Sequence, residues 1–251
     1  MLRTSSKRKN QLLLDFRTAI TVRIAIIIPC LNESENMTAI MLRLQPLREK
    51  GHHIIVVDGL SDDNSVELAT PFADQVAISK RGRAQQMNYG ATLTDADVLW
   101  FVHADTALPQ DADQTIIHHL SKSNRQWGRF DVQLSGKQFW LRLIEFMMNQ
   151  RSCLSGIATG DQAIFVHRDL FKKSGGFKNI ELMEDISLCK KLKHYSKPIC
   201  LKEKVITSSR RWETQGVWRT ILLMWRLRLA YFFGADPKQL KRRYDNMTIK
   251  E

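Results

Sequence analysis

Polar and charged residues follow each of four short apolar runs in the first half of the chain. They occupy positions 30–33, 58–63, 80–83 and 103–105. In an open α/β sheet the ligand binds beyond the carboxyl ends of the strands, so four such clusters would meet at one edge. Any one of them could be only a helix cap or a turn. Together they predict a single binding site.

The clusters combine carboxylates with arginines, which indicates a phosphate-containing ligand and a divalent cation. Magnesium in such sites uses one or two protein carboxylates and takes phosphate oxygens and water for its other ligands. Asp105 is the best candidate for this Mg²⁺ or Mn²⁺ ligand, and Asp58 is better placed to accept a hydrogen bond from a base or ribose. Arg81 and Arg83 lie beside Gly82 at a predicted helix start, which suits a phosphate.

The elements that must position these residues follow an alternating pattern. Short β-branched runs predict strands at residues 24–29, 54–57, 75–79 and 98–102, and the continuous apolar run at 24–29 is typical of a strand buried on both faces. Helical patterns separate them, so we expect right-handed parallel βαβ units with helices on both faces of one sheet. Asn32 and Glu35 form the pattern of a capping box at the first helix, which Gly51 ends. The chain lacks the glycine patterns of a Rossmann cofactor site and of a P-loop.

After residue 134 the order of elements is less regular. The predicted helices there are 138–149, 185–194, 217–233 and one that begins at Asp236-Pro237; the predicted strands are 162–166, 197–201 and 205–208. The helix at 217–233 is apolar nearly all round, with Arg219 and Arg226 a heptad apart. It either packs against the domain or lies on a membrane surface, because it is too charged to span a bilayer. If it lies on a membrane, one ligand of the predicted site is lipid-linked or otherwise apolar.

The net charge of +12 is concentrated at the two ends of the chain. Residues 1–23 carry six basic and one acidic residue, residues 210–251 carry ten and four, and the 186 residues between them carry 22 and 21. A nucleic-acid-binding protein would instead place basic and aromatic residues over a domain face, so we expect no nucleic acid partner. The basic ends either contact anionic lipid or a phosphorylated substrate, or are simply solvated.

The cysteine pattern and the lack of long apolar runs predict a cytoplasmic protein. Cys30, Cys153, Cys189 and Cys200 show no Cys-x-x-Cys pair, which favours reduced thiols over disulfides or a zinc site. No uncharged apolar run approaches the roughly 20 residues that span a bilayer. The basic start of the chain is not a signal peptide, since charged residues interrupt its apolar stretch. We expect a location in the cytoplasm, at the inner face of the cell membrane if the C-terminal helices bind lipid.

Three motifs carry a resemblance to a known family. Ile-Ile-Pro-Cys-Leu-Asn-Glu at 27–33, Val-Val-Asp-Gly-Leu-Ser-Asp-Asp at 56–63 and His-Ala-Asp at 103–105 resemble glycosyltransferase family 2, which has the GT-A fold. Residues 83–88 and 160–162 resemble a bacterial subgroup of that family found beside radical-SAM and selenium-linked genes. The resemblance extends over residues 24–244. It implies a basic N-terminal extension at 1–23, a GT-A domain at 24–212 and C-terminal apolar and basic helices at 213–251.

The resemblance implies an inverting sugar transfer from a nucleotide-diphosphate sugar, with a divalent metal. By it, Asp58 contacts the base, Asp105 the metal and diphosphate, and Asp185 of the pair Glu184-Asp185 is the general base. The family's Asp-x-Asp is His103-Ala104-Asp105 here, so His103 is not assigned as a metal ligand. Inversion requires a base on the sugar face opposite the leaving diphosphate, and Asp185 comes from a distant part of the chain. Without the resemblance, a helix cap would be the favoured interpretation of Asp185.

Further residues complete the predicted site. The donor side is expected to contain Pro29, Asn32, Glu33, Asp58, Ser61, Arg81, Arg83, Asn88, His103, Asp105, Arg210 and Arg211. The acceptor side is expected to contain Trp127, Asp131, Gly160, Asp161, Gln162 and Trp212. Arg210 and Arg211 could clamp a diphosphate while Trp212 stacks on a sugar; alternatively they form a basic turn anchored by a buried tryptophan.

Two other functions compete with this interpretation. A sugar-1-phosphate nucleotidyltransferase shares the general architecture but needs a glycine- and arginine-rich loop after its first strand, which residues 29–33 do not provide. A basic nucleic-acid-binding protein is disfavoured by the position of the charge.

Overall fold

The structure is a computed structural model that describes residues 22–248, without the side chains of Arg211, Met247 and Thr248. Most of the predicted extension at 1–23 therefore lies outside the described residues. The strands are β1 (Ile24–Cys30), β2 (His53–Asp58), β3 (Gln75–Ile78), β4 (Val98–Phe101), β5 (Trp127–Leu134), β6 (Phe165–His167) and β7 (Ile199–Thr207). The helices are α1 (Ser34–Glu49), α2 (Ser65–Ala69), α3 (Arg83–Thr92), α4 (Ala112–Ser121), α5 (Phe139–Ser155), α6 (Arg168–Lys173), α7 (Glu184–Lys193), α8 (Arg210–Gln215), α9 (Val217–Phe232) and α10 (Pro237–Thr248).

The strands form one sheet in the order β3-β2-β1-β4-β6-β5-β7. The pairs β1–β2, β1–β4, β2–β3 and β5–β7 are parallel, and β6 is antiparallel to both β4 and β5. The predicted α/β class with a mostly parallel sheet is confirmed. The two strands predicted at 197–201 and 205–208 are wrong, because β7 is continuous. The polar residues between them fall where the register with β5 shifts, between Phe130 and Asp131.

Two apolar layers hold the helices on the two faces of the sheet. Ile24, Ile26 and Ile28 of β1 face α1 and α4, in a cluster that includes Met37, Leu44 and Ile116. Ile27 faces the other way, toward α3, α6 and α7. Side chains alternate between the faces of a strand, so a continuous apolar run is what a strand covered on both sides requires.

The start of α1 differs from the predicted capping box. Glu33 is the N-cap residue and its side chain makes no capping hydrogen bond. Asn32 has a left-handed backbone (φ 54°), and its Oδ1 accepts a hydrogen bond from the backbone N–H of Asp62 at 2.8 Å. The prediction was wrong because the side chain of Asn32 binds a neighbouring loop. The loops after β1 and β2 are thereby joined beside the site.

The C-terminal helices pack on the domain along one face only. Leu223 and Leu227 of α9 are buried with Met183, Ile186 and Leu240. The predicted start of α10 is confirmed, since Pro237 is its first residue and the N–H of Lys238 donates to Asp236 Oδ1 at 3.1 Å. Within residues 22–248, no helix is long and apolar enough to cross a membrane.

A disulfide joins Cys153 of α5 to Cys200 of β7. The prediction that all cysteines are reduced is therefore wrong for this pair, whereas Cys30 and Cys189 are buried free thiols. Helix α5 packs on β5, and β7 pairs with β5, which brings the two Cα atoms to 5.8 Å. Spacing along the chain could not reveal this contact, because it depends on the strand order.

Candidate active site

A cleft of about 840 Å³ opens at the carboxyl ends of β1 and β4, with walls from α5, α7 and α9. The predicted site residues that line it are Pro29, Glu33, Arg83, His103, Asp105, Gly160, Asp161, Glu184, Asp185, Arg210 and Trp212. The cleft therefore contains several carboxylates and arginines together. This combination can hold a phosphorylated ligand and leave a carboxylate free to take a proton.

Asp185 is held in place by two backbone hydrogen bonds. The N–H of Gly160 donates to its Oδ2 at 3.0 Å and the N–H of Ile186 donates to its Oδ1 at 2.6 Å. The N-cap of α7 is Met183, whose left-handed backbone (φ 70°) turns the chain directly before the acidic pair. Asp185 is therefore not the cap of this helix. Burial raises its pKa, and Arg228 opposes that shift.

Glu184 is buried beside Asp185. Burial raises its pKa to about 7, and the charge of Asp185 adds to the effect. Arg83 opposes the shift, and its Nη1 lies 3.8 Å from Glu184 Oε1. A raised carboxyl pKa is typical of groups that exchange protons near neutral pH.

Asp105 lies at the end of β4 and lines the same cleft. Burial raises the pKa of Asp105, Asp161 adds to this, and Arg83 opposes it. A bound cation would relieve this repulsion between neighbouring carboxylates. Among the described residues, no three His, Cys, Asp or Glu side chains are grouped to hold a metal by themselves. The donor set fits a Mg²⁺ or Mn²⁺ ion that takes one protein carboxylate and completes its shell from a diphosphate and water.

His103 faces the loop that carries Gly160 and Asp161. Its Nδ1 lies 3.5 Å from Asp161 Oδ1, and burial, followed by the charge of Arg83, lowers the pKa of the imidazole well below its usual value. A Cβ atom at position 160 would lie 2.5 Å from His103 Nε2. Glycine at position 160 therefore lets the loop pass over the neutral imidazole of His103 without a clash. In this position the backbone N–H of Gly160 donates to Asp185.

Several predicted donor residues form the rim beside the cleft instead of its wall. Ser61 donates from its backbone N–H and its hydroxyl to the two carboxylate oxygens of Asp58, at 2.9 and 2.5 Å, and accepts from the N–H of Asn32. Arg81 is exposed and pairs with Asp62 at 3.0 Å. These contacts fix the shape of the loops after β1 and β2. The side chain of Arg211 lies outside the described part of the structure.

Asn88, Trp127, Asp131 and Gln162 do not line the cleft, and their contacts are structural. Asn88 exchanges two hydrogen bonds with the backbone of Phe177. Trp127 is fully buried and donates to the carbonyl of Ser196.

Asp131 pairs with the buried Arg129, and Gln162 donates to Ser152 Oγ at 2.9 Å. Assigning Trp127, Asp131 and Gln162 to the acceptor was wrong. Trp127 and Asp131 belong to β5, and Gln162 lies in a segment that packs against β5.

The structure adds cleft residues that the sequence did not reveal. Arg151 of α5 and Arg228 of α9 line the cleft, as do Met147, Met224 and Trp225. Burial lowers the pKa of Arg228, while the carboxylates of Asp185 and Asp161 oppose this. Burial also lowers the pKa of Arg151, to about 10, and the charge of Arg228 contributes. For Arg228, the sequence signal was its position next to Leu227 in the apolar helix predicted at 217–233.

Gln86 is a further residue that the sequence pattern did not indicate. It is buried in α3, and its Nε2 donates to the carbonyls of Cys30 and Val57 at 2.6 and 2.8 Å. These carbonyls lie at the carboxyl ends of β1 and β2, so Gln86 ties together the strand ends that carry the site.

The fold is a GT-A fold, as comparison with solved structures shows. S. aureus TarS in complex with UDP matches with a TM-score of 0.60 and 13% identity, covering 74% of this chain and 60% of that chain. Mannosyltransferase PcManGT from Pyrobaculum calidifontis, in complex with GDP-Man and Mn²⁺, matches with a TM-score of 0.61 and 17% identity over 90% and 70% of the two chains. Glucosyl-3-phosphoglycerate synthase from Mycobacterium tuberculosis, with Mg²⁺ and UDP, matches with a TM-score of 0.56 and 14% identity over 78% and 73%.

The chain belongs to glycosyl transferase family 2, whose family model matches residues 25–175, more than half of the chain. A search of curated proteins found no significant match. The chain spans about 60% of the length of the S. aureus structure, so that protein's activity is not carried over as a whole.

Proposed function

We propose that the protein transfers a sugar, with inversion, from a nucleotide-diphosphate sugar to an acceptor hydroxyl. The observation that carries this proposal is the meeting of Asp105, Arg83 and Asp185 at one cleft, contributed by the ends of β4 and the starts of α3 and α7. Family membership and the GT-A fold support it. The motifs at 83–88 and 160–162 also support the bacterial subgroup inferred from the sequence.

On the donor side, the charge of the leaving diphosphate must be stabilised. Arg83, the first residue of α3, would bind a phosphate oxygen close to the helix N-terminus. Asp105 would hold the divalent cation, which when bound supplies further positive charge to the leaving group. Asp58, at the end of β2, would accept a hydrogen bond from the base or ribose. The rim loops built by Asn32 and Ser61 would shape the nucleotide site.

On the acceptor side, Asp185 would accept the proton of the attacking hydroxyl. Its two backbone hydrogen bonds fix the carboxylate and leave each oxygen a further lone pair. Glu184 is the second candidate for the base. The bond from the acceptor oxygen to the anomeric carbon forms as the bond to the diphosphate breaks, and the proton passes to the carboxylate. His103, neutral and beside Asp161, would donate to or accept from the sugar.

The acceptor would bind against an apolar wall. Met147, Met224 and Trp225 line the cleft alongside Trp212. This wall supports the prediction of a lipid-linked or otherwise apolar acceptor. Gly160 and Asp161 remain acceptor-side candidates because they line the cleft beside Asp185.

A donor-hydrolysis screen tests the function. UDP-, GDP- and dTDP-sugars would be incubated with the protein, with and without Mn²⁺. We expect slow hydrolysis of one nucleotide class, and only with the metal. Asp169→Asn, an exposed acidic residue of α6, is the matched control for carboxylate variants of the cleft. Absence of both hydrolysis and nucleotide binding across all the donors would overturn the proposal.

A further inference from the structure

Two neighbouring helices expose apolar stripes that no other part of residues 22–248 covers. On α5 the stripe is formed by Phe139, Trp140, Leu143, Phe146, Met147 and Leu154. On α9 and just after it, the stripe is formed by Trp218, Leu222, Trp225, Leu229, Phe232 and Phe233. These side chains are 41% to 86% exposed. We call them together the α5–α9 surface.

The two stripes form one continuous surface. The rings of Trp140 and Trp218 are 5.6 Å apart, which joins the helices at one end. Below the surface, Leu141 and Ile144 of α5 pack against Val217 and Ile221 of α9. On α9 the exposed residues recur every three or four positions, which places them along one face of the helix. Monomeric proteins rarely expose an apolar patch of this kind unless something binds it.

The exposed charged side chains of α9 are all positive. Arg219 and Arg226 are exposed next to the α9 stripe, and Arg226 is a helical neighbour of Leu222 and Leu229. Helix α9 contains no acidic residue, and the only one in α5, Glu145, is buried and bonded to the N–H of Leu134. Two helix faces that combine apolar rings with arginines, and that expose no carboxylate of their own, complement a bilayer that contains anionic lipids. The exposed carboxylates nearest to α9 in the chain, Glu213 and Asp236, lie outside both helices.

The charge pattern also disfavours a second copy of the chain as the occupant. A two-fold dimer would place the same surface on both sides of the interface, so two positively charged surfaces would be brought together. A membrane instead offers phosphates at the depth of the guanidinium groups and hydrocarbon at the depth of the rings.

The active-site cleft opens onto the same surface. Met147 and Trp225 belong to the α5–α9 surface and also line the cleft that contains Asp185. We propose that the α5–α9 surface docks on an anionic membrane, so that an amphiphilic acceptor passes from the bilayer between α5 and α9 to Asp185. The acceptor class rests on the function proposed above, whereas the docking does not.

The test compares two matched double variants in vesicle co-sedimentation. Phe146→Ser with Leu229→Ser removes two side chains of the α5–α9 surface, and Leu42→Ser with Ile78→Ser removes two equally exposed side chains elsewhere. With vesicles of phosphatidylcholine and about 30% phosphatidylglycerol, we expect the first variant to bind at least about tenfold more weakly than wild type. The control variant should bind like wild type, and phosphatidylcholine alone should bind all three proteins more weakly.

Donor hydrolysis in solution separates docking from catalysis. None of the substituted residues lines the cleft, so both variants should hydrolyse the donor at the wild-type rate. Donor hydrolysis by a wild-type protein that does not bind vesicles would overturn docking alone. Vesicle binding by a wild-type protein that neither hydrolyses nor binds any of the donors would overturn the proposed function alone. Equal vesicle binding by both variants would also overturn docking. Docking would likewise be overturned if the wild-type protein formed a dimer and only the Phe146→Ser, Leu229→Ser variant were monomeric.

A measurement on the wild-type protein covers the case in which a variant fails to fold. Trp140, Trp218 and Trp225 all lie on the α5–α9 surface, whereas Trp100 and Trp127 are fully buried. Lipids brominated on their acyl chains should therefore quench the wild-type tryptophan fluorescence. Fluorescence that these lipids leave unchanged would overturn the proposal.

Discussion

In the half of the molecule built from β1 to β4, neighbouring strands are parallel and the loops after them carry the donor-side candidates. Asp58 is the last residue of β2, and Asp105 follows β4 within a few residues. Gln86 ties the ends of β1 and β2 together from below. The donor side of the cleft is thus fixed by the edge of the sheet.

The half built from β5 to β7 is organised differently. Strand β6 is antiparallel to both neighbours, and a disulfide joins α5 to β7. In this half the candidate base, Asp185, lies at the start of helix α7, and Arg228 lies on helix α9. This half also carries the exposed apolar stripes of α5 and α9. Under the proposed function, the edge of the sheet would hold the nucleotide and the packed helices would hold the acceptor.

The largest expected effect belongs to the donor half. Asp105→Asn should reduce donor turnover to background and remove the Mn²⁺ dependence of nucleotide binding, because the amide is a poor ligand for a hard cation. Nucleotide affinity would be measured by titration calorimetry with and without Mn²⁺, and folding by circular dichroism. Asp169→Asn should match wild type. Unchanged nucleotide affinity in the presence of Mn²⁺ would remove Asp105 from the metal site.

The next effect separates the two halves. Asp185→Asn should slow sugar transfer by about 10²–10⁴-fold, as the loss of a general base does, with nucleotide affinity nearly unchanged. The rate would be measured at saturating donor. A loss below about tenfold, roughly 1.4 kcal/mol of barrier, would assign the base elsewhere, first to Glu184 or Asp161. A parallel loss of nucleotide affinity would contradict the division between donor and acceptor halves.

The smallest effect concerns the link between α9 and α7. The positive charge of Arg228 lowers the pKa of Asp185, so Arg228→Gln should raise that pKa. A base must be deprotonated to act, and activity falls as pH drops through its pKa. The acidic limb of the pH–rate profile should therefore move to higher pH, with little change above it.

Arg226→Gln is the matched control for this prediction. Arg226 lies on the same helix, two residues earlier, but is exposed. Its substitution should leave the pH–rate profile in place. If Arg228→Gln also leaves the acidic limb in place, Arg228 does not influence the base, and α9 contributes only packing to the acceptor half.

The part of the fold that could be predicted from the sequence is the part whose helices and strands have regular apolar patterns. The strands β1, β2 and β4 and helices α1 and α3 follow from apolar patterns, because a strand covered on both faces must be continuously apolar. Asp105, Arg83 and Glu184-Asp185 were found because they follow strands or match a family motif. The prediction for Trp127 and Asp131 was wrong, because these residue types are typical of ligand contacts but here are buried in β5, inside the sheet.

By itself, the sequence determined the α/β class, the donor edge of the sheet and the concentration of positive charge at the two ends. Only the tertiary structure decided that β6 enters the sheet antiparallel, that Cys153 meets Cys200, and that Arg228 lines the cleft with Asp185. The physical reason is the range of the interactions. Periodicity and turn chemistry act between residues close in the chain, whereas each of these contacts joins distant segments whose meeting depends on strand order and helix packing.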